Sequence, residues 1–87
     1  MLEERLKDRL SANSNEILVI FTNRYLMQWC IRAFKRNKEI ICVHYNDLVS
    51  GKFNLHGKKF RKYVYANEAE LIKLKKGVND EKRKSNR

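Results

Sequence analysis

The chain has 87 residues, 43% of them hydrophobic and none of them proline, which is enough for one small domain with a single modest core and excludes a large multidomain enzyme. Twenty Lys and Arg against ten Asp and Glu leave a net charge of +10. That excess calls for an anionic partner, with nucleic acid (RNA or DNA) ahead of an acidic protein surface.

The opening MLEERLKDRL mixes acids and bases and lacks the apolar stretch of a leader peptide, which points to the cytoplasm. Leu2, Leu6 and Leu10 recur at every fourth residue, and Glu3 stands four before Lys7. Residues 2–11 are therefore predicted as an amphipathic helix within an N-terminal segment 1–13. After the polar break Ser11–Asn15, the run Ile17–Phe21 is too short for a helix and rich in strand formers, so it predicts a strand buried on both faces. It is also the longest uninterrupted aliphatic or aromatic run, far short of the roughly 20 residues a membrane span needs, so no membrane partner is expected.

Thr22 or Asn23 can cap the next helix, predicted to run to about Asn37 with Leu26, Trp29, Cys30, Ala33 and Phe34 facing inward. Ile40–Val43 repeats the unbroken apolar pattern and predicts a second fully covered strand within Glu39–Tyr45. Two such strands joined by an amphipathic helix form a parallel βαβ unit. Residues 46–58 collect Asp47, Ser50, Gly51, Asn54 and Gly57 and read as a loop with one helical turn at Asp47–Ser50. Lys59–Tyr65 alternates and predicts a third strand, with Phe60 and Val64 on one side and Arg61, Tyr63 and Tyr65 on the other.

Asn67 with Glu70 resembles a capping box, and Gly77 is placed as a C-cap, giving a last helix over 68–76 and a disordered basic tail over 77–87. The expected fold is a small two-layer or three-layer α/β domain at 14–76, in the order α-β-α-β-β-α. The alternative is an α+β fold with a β-hairpin at 52–65, turning at His56–Lys58.

Charge is uneven along the chain: −1 over residues 1–21, +8 over 22–65 and +3 over 66–87. Arg24, Gln28, Arg32 and Arg36 recur at spacing four with Lys35 beside them, forming a polar stripe on the long helix. Like charges at that spacing repel, and a phosphate backbone relieves the repulsion while releasing counterions. Lys58, Lys59, Arg61 and Lys62 are the densest cluster, interleaved with Phe60, Tyr63 and Tyr65. Cations beside exposed rings suit unpaired nucleic acid, whereas buried rings with edge lysines would only protect a strand from pairing. Arg24, Arg32, Lys35, Arg36, Lys58, Lys59, Arg61, Lys62 and Tyr63 are the predicted binding residues, with Lys82–Lys84 as an auxiliary patch.

Cys30, Cys42, His44 and His56 lack the paired close spacing of a structural zinc site, and buried free thiols are ordinary in a reducing compartment. No metal or cofactor is predicted, and no hydrolase, metalloprotease or phosphate-loop motif is present. The order Ile17–Asn23, helix, Ile40–Tyr45, then Tyr63–Leu71 resembles the strand pattern of P-loop ATPases. In that family the third strand ends in Asp-Glu-Ala, where this chain reads Ala66, Asn67, Glu68, Ala69, and the phosphate loop has no counterpart. The resemblance thus implies a non-catalytic relative.

The sequence reading is a non-enzymatic nucleic-acid-binding module. One alternative is a protein-interaction module for an acidic surface, such as a phage-type inhibitor, in keeping with a Lys-, Asn- and Ile-rich composition typical of AT-rich genomes. A second is a metal-independent ribonuclease of toxin type, with His44 or His56 as acid or base and Arg61 or Lys62 holding charge.

Overall fold

The apolar run Ile17–Phe21 forms strand β1 at the centre of a three-stranded parallel sheet, between β2 (Ile40–His44) and β3 (Lys62–Tyr65). A computed structural model gives this description for residues 2–85, with side chains from 2 to 76. The helices are α1 (Leu2–Lys7), α2 (Arg24–Ala33), α3 (Tyr45–Val49) and α4 (Glu68–Ser85), so the fold is mixed α/β with strands and helices alternating. Ile17 lies level with both Ile40 and Lys62. All three strands consequently start at one edge of the sheet and end at the other.

The order β2-β1-β3 explains the layers. Travel along the sheet reverses after β2, and a right-handed crossover in the reversed direction must pass over the opposite face. Accordingly, Val19 and Phe21 of β1 pack with Cys30 and Phe34 of the α2 region and with Leu71 and Leu74 of α4. Leu18 and Ile20 pack the other way, with Leu6 of α1, Leu48 of α3, Leu55 and Phe60. Every side chain from Leu18 to Phe21 is buried, which is why this strand shows no polar alternation.

Several expectations need correction. β2 is an edge strand, so Ile40, Ile41 and Cys42 are only half-buried instead of fully covered. α1 stops at Lys7, not at residue 11, because Ser11 N–H donates to the Phe60 carbonyl (2.7 Å) and draws the chain into a bridge between Leu10 and Phe60. α2 ends at Ala33, with turns continuing to Asn37. The helical turn expected at Asp47–Ser50 is the helix α3, begun at Tyr45.

Phe60 lies outside β3 and beyond a bend at Arg61, which shifts the side-chain phase. Phe60 and Tyr63 therefore share the α1/α3 face, while Val64 packs on the α2/α4 face. β3 pairs in parallel with β1, and Lys52–Leu55 forms no strand, so the hairpin at 52–65 is not formed. α4 continues through Gly77 to Ser85, past the expected C-cap and into the expected tail. A helical glycine costs about 1 kcal/mol relative to Ala, which the Lys, Glu and Arg of the following turns can offset.

Trp29 is the largest departure on α2, being 53% exposed instead of buried. The inward stripe is set by Leu26, Cys30 and Phe34. Trp29 is rotated by about 100° from Cys30 on the helical wheel. A three-stranded sheet is only about 10 Å wide between its outer strands, and α2 shares that face with α4. The covered stripe is therefore narrow, leaving Trp29 and Ala33 outside it.

Candidate functional site

Asn23 adopts extended backbone and its Oδ1 accepts the N–H groups of Tyr25 (2.9 Å) and Leu26 (3.1 Å), fixing where α2 begins. Arg24 then occupies a first turn that contains no acidic residue, adding its charge to the positive end of the helix dipole. Arg24, Gln28, Arg32, Lys35 and Arg36 are all exposed. Because α2 runs from the end of β1 to the start of β2, this row descends from one sheet edge to the other.

The second basic cluster lies at the end of the sheet where the strands start, leading into β3, whereas Arg36 stands before β2 on the other side of β1. Leu55–Lys58 forms a β-turn closed by Lys58 N–H to the Leu55 carbonyl (3.0 Å), with Gly57 at the positive φ of 78° that such a turn requires. Lys58 Nζ sits 5.5 Å from the centre of the Phe53 ring, and Lys59 Nζ donates to the Asp8 carbonyl at 3.3 Å. Ser14 Oγ donates to the Lys59 carbonyl (3.0 Å), and Arg61 N–H donates to the Glu16 carbonyl (2.7 Å). The backbone carrying Lys58, Lys59, Arg61 and Lys62 is thus held at several points while all four residues remain exposed.

Among the described residues one ion pair forms, Lys73–Glu70 at 3.9 Å, and it involves neither cluster. The ring placement differs from the spacing argument. Phe60 is buried and Tyr63 is half-buried against the α1/α3 core, while Tyr65 is 41% exposed and meets Tyr63 edge to face at 6.2 Å. The most exposed rings are on α2, Tyr25 at 89% and Trp29 at 53%. Sequence reasoning assigned Trp29 to the core and overlooked Tyr25. The readable signal was their spacing of four alongside the Arg24–Arg32 row. The side chains of Lys82–Lys84 lie outside those described.

The two histidines differ. Doubly wound sheets hold ligands beyond the strand ends where successive connections leave to opposite faces. Here that crevice lies between β1, followed by α2, and β2, followed by α3. His44 fills it. Its Nδ1 accepts Asn46 N–H (3.1 Å), which leaves the proton on Nε2, facing the Thr22 carbonyl at 3.2 Å. Both ring nitrogens are thereby engaged in holding β1, β2 and α3 together, and the residue is 6% exposed. His56 is exposed and borders a shallow cavity of about 200 Å³ lined by Arg5, Asp8, Arg9, Asn54 and Leu55, without Arg61 or Lys62.

Among the described residues no three His, Cys, Asp or Glu side chains converge as a metal site, and no helix is long and apolar enough to cross a membrane. Cys30 and Cys42 are free thiols on the α2/α4 side. Burial pushes Cys30 up, and burial together with the neighbouring Cys30 pushes Cys42 up to about 11. Unfolded cysteine releases its proton near 8.5, so from there to about 11 the unfolded chain binds fewer protons than the fold and stability falls as pH rises. Comparing the melting temperatures of wild type and Cys42→Ala from about pH 7 to 10.5 isolates this effect. The wild type should lose stability relative to the variant above about pH 8.5, and a pH-independent difference would contradict it.

No protein-family description, curated protein or solved structure matches this chain.

Proposed function

We propose that this protein is a small, non-enzymatic module that binds nucleic acid, mainly through phosphate contacts. The observation that carries the reading is two exposed basic clusters, one on α2 and the turns that follow it and one where β3 starts, with no acidic partner among the described residues. Unneutralised like charges held on fixed backbone raise the free energy of the unbound surface, and phosphates lower it with release of counterions. The engaged ring of His44 at the crevice favours surface recognition over chemistry at the strand ends. Free thiols at Cys30 and Cys42 accord with a cytoplasmic setting.

Mobility-shift titrations with single-stranded DNA, duplex DNA and RNA test the proposal. Binding at low salt is expected, weakening as salt rises, with a logarithmic slope of about −4 to −6 if five to seven phosphates are engaged. No shift with any of the three at low salt would reject it. A second reading, an acidic protein segment, is favoured by a groove of about 250 Å³ along the β2 edge that shares Lys35 with the first basic cluster. Ile31, Phe34, Ile40 and Cys42 give it an apolar floor, and Lys35 and Lys38 stand on its rim.

A further inference from the structure

We infer that the ligand of the α2 surface is single-stranded, with unpaired bases stacking on Tyr25 and Trp29. This rests on the nucleic-acid reading above and deepens it by naming the class of strand.

Tyr25 and Trp29 are 89% and 53% exposed, and it is their adjacency on one helix face that marks an interaction surface, since exposed apolar residues scattered singly are ordinary. At spacing four they share one face of α2, about 6 Å apart along its axis. Arg24 and Gln28 immediately precede them in sequence, and Arg32 follows Trp29 by three residues on the same face. The surface thus offers two π-faces flanked by guanidinium groups.

A duplex cannot use the rings in this way. Its bases are stacked about 3.4 Å apart with their faces covered, so α2 would meet phosphates and base edges while both aromatic faces stayed in water. In a single strand the bases can turn outward and separate to reach two rings about one helical turn apart, and the arginines can hold the intervening phosphates. Stacking tolerates any base, so the preference is for strandedness with little sequence selection.

The strand-start cluster supplies less of this combination: Phe60 is buried, Tyr63 is half-buried against the core, and Tyr65, 41% exposed, stands at the far end of β3 from Lys58–Lys62. Charge complementarity commits the face to a polyanion, and the exposed rings commit it to one with accessible bases.

The experiment uses the full chain with labelled oligo(dT) and oligo(U) of about ten nucleotides, and a mixed-sequence DNA duplex of matching length. Trp29 is the sole tryptophan, so its emission reports directly on the face. Binding of the oligonucleotides should quench that emission, while duplex binding should leave it nearly unchanged. Trp29→Ala and Tyr25→Ala should each lower single-strand affinity by about 5- to 100-fold. The salt slope should stay the same, because neither change removes a charge. Both side chains lie outside the core, and circular dichroism will verify that the variants fold.

The inference is overturned if the double variant binds oligonucleotides as tightly as wild type, or if duplex binds equally well and quenches Trp29 equally. Absence of binding to every nucleic acid would instead reject the underlying reading, and this inference with it.

Discussion

Phe21→Ala should cost about 4 kcal/mol of folding stability and lower the melting temperature by about 20 °C or more. Phe21 is completely buried at the end of the central strand, on the face shared by α2 and α4, where Cys30, Phe34, Leu71 and Leu74 complete the cluster. Truncation removes the transfer free energy of the ring and leaves a cavity that a sheet fixed by two neighbouring strands cannot collapse. A domain of this length has a total stability of only about 4 to 13 kcal/mol, so the variant should be partly unfolded at 37 °C. Trp29→Ala on the facing helix should cost less than about 1 kcal/mol, because half of that side chain is already in water. Chemical denaturation followed by circular dichroism measures both. Equal losses for the two substitutions would mean that α2 is rotated from the orientation described.

Replacing Arg24, Arg32 and Arg36 together by Gln should weaken nucleic-acid binding roughly a hundredfold at moderate salt and reduce the logarithmic salt slope by about 2 to 3 units. The same is expected for Lys59, Arg61 and Lys62. Each set supplies three exposed cations, outside any ion pair among the described residues, on backbone already fixed by hydrogen bonds. Fixed charges lose little conformational freedom when phosphates arrive, so most of their interaction survives as affinity. Deleting residues 78–87 should do less, since the four basic residues of that segment are accompanied by Asp80 and Glu81. Titrations at several salt concentrations decide the ranking. If the deletion abolished binding while both triple variants kept their affinity and slope, neither cluster would be the interface.

Elements made of unbroken apolar runs were legible in the sequence, because burial on both sheet faces forbids polar residues there. Ile17–Phe21 and Ile40–His44 thus emerged as parallel strands around a helix. The degree of cover was less legible. That β2 lies at an edge depends on where β3 docks, which no local pattern encodes. Periodicity also failed where long-range hydrogen bonds intervene, as at Leu10 and Phe60, whose bridge shortens α1 and shifts the phase of β3. For the proposed site, the exposure of the cations could be read from spacing alone, since nothing buries them. The rings could not, because Trp29 and Phe60 look equally suited to a core until the width of the sheet decides which one it can reach.

The placement of β1 between its two partners also has a consequence for how the chain reaches its fold. Neither partner is local: Ile17 must find Ile40 and then Lys62, so loop-closure entropy is incurred twice before the sheet is complete. The central strand nevertheless precedes both flanking strands in the chain. Among the strands β1 is made first, so β2 and β3 each meet an existing partner when they are made. Addition of β3 then proceeds on an existing template without rearranging earlier pairs. A chain order that put both edge strands ahead of the centre would instead leave two strands without a neighbour until the centre was made, with their unpaired backbone available to other chains.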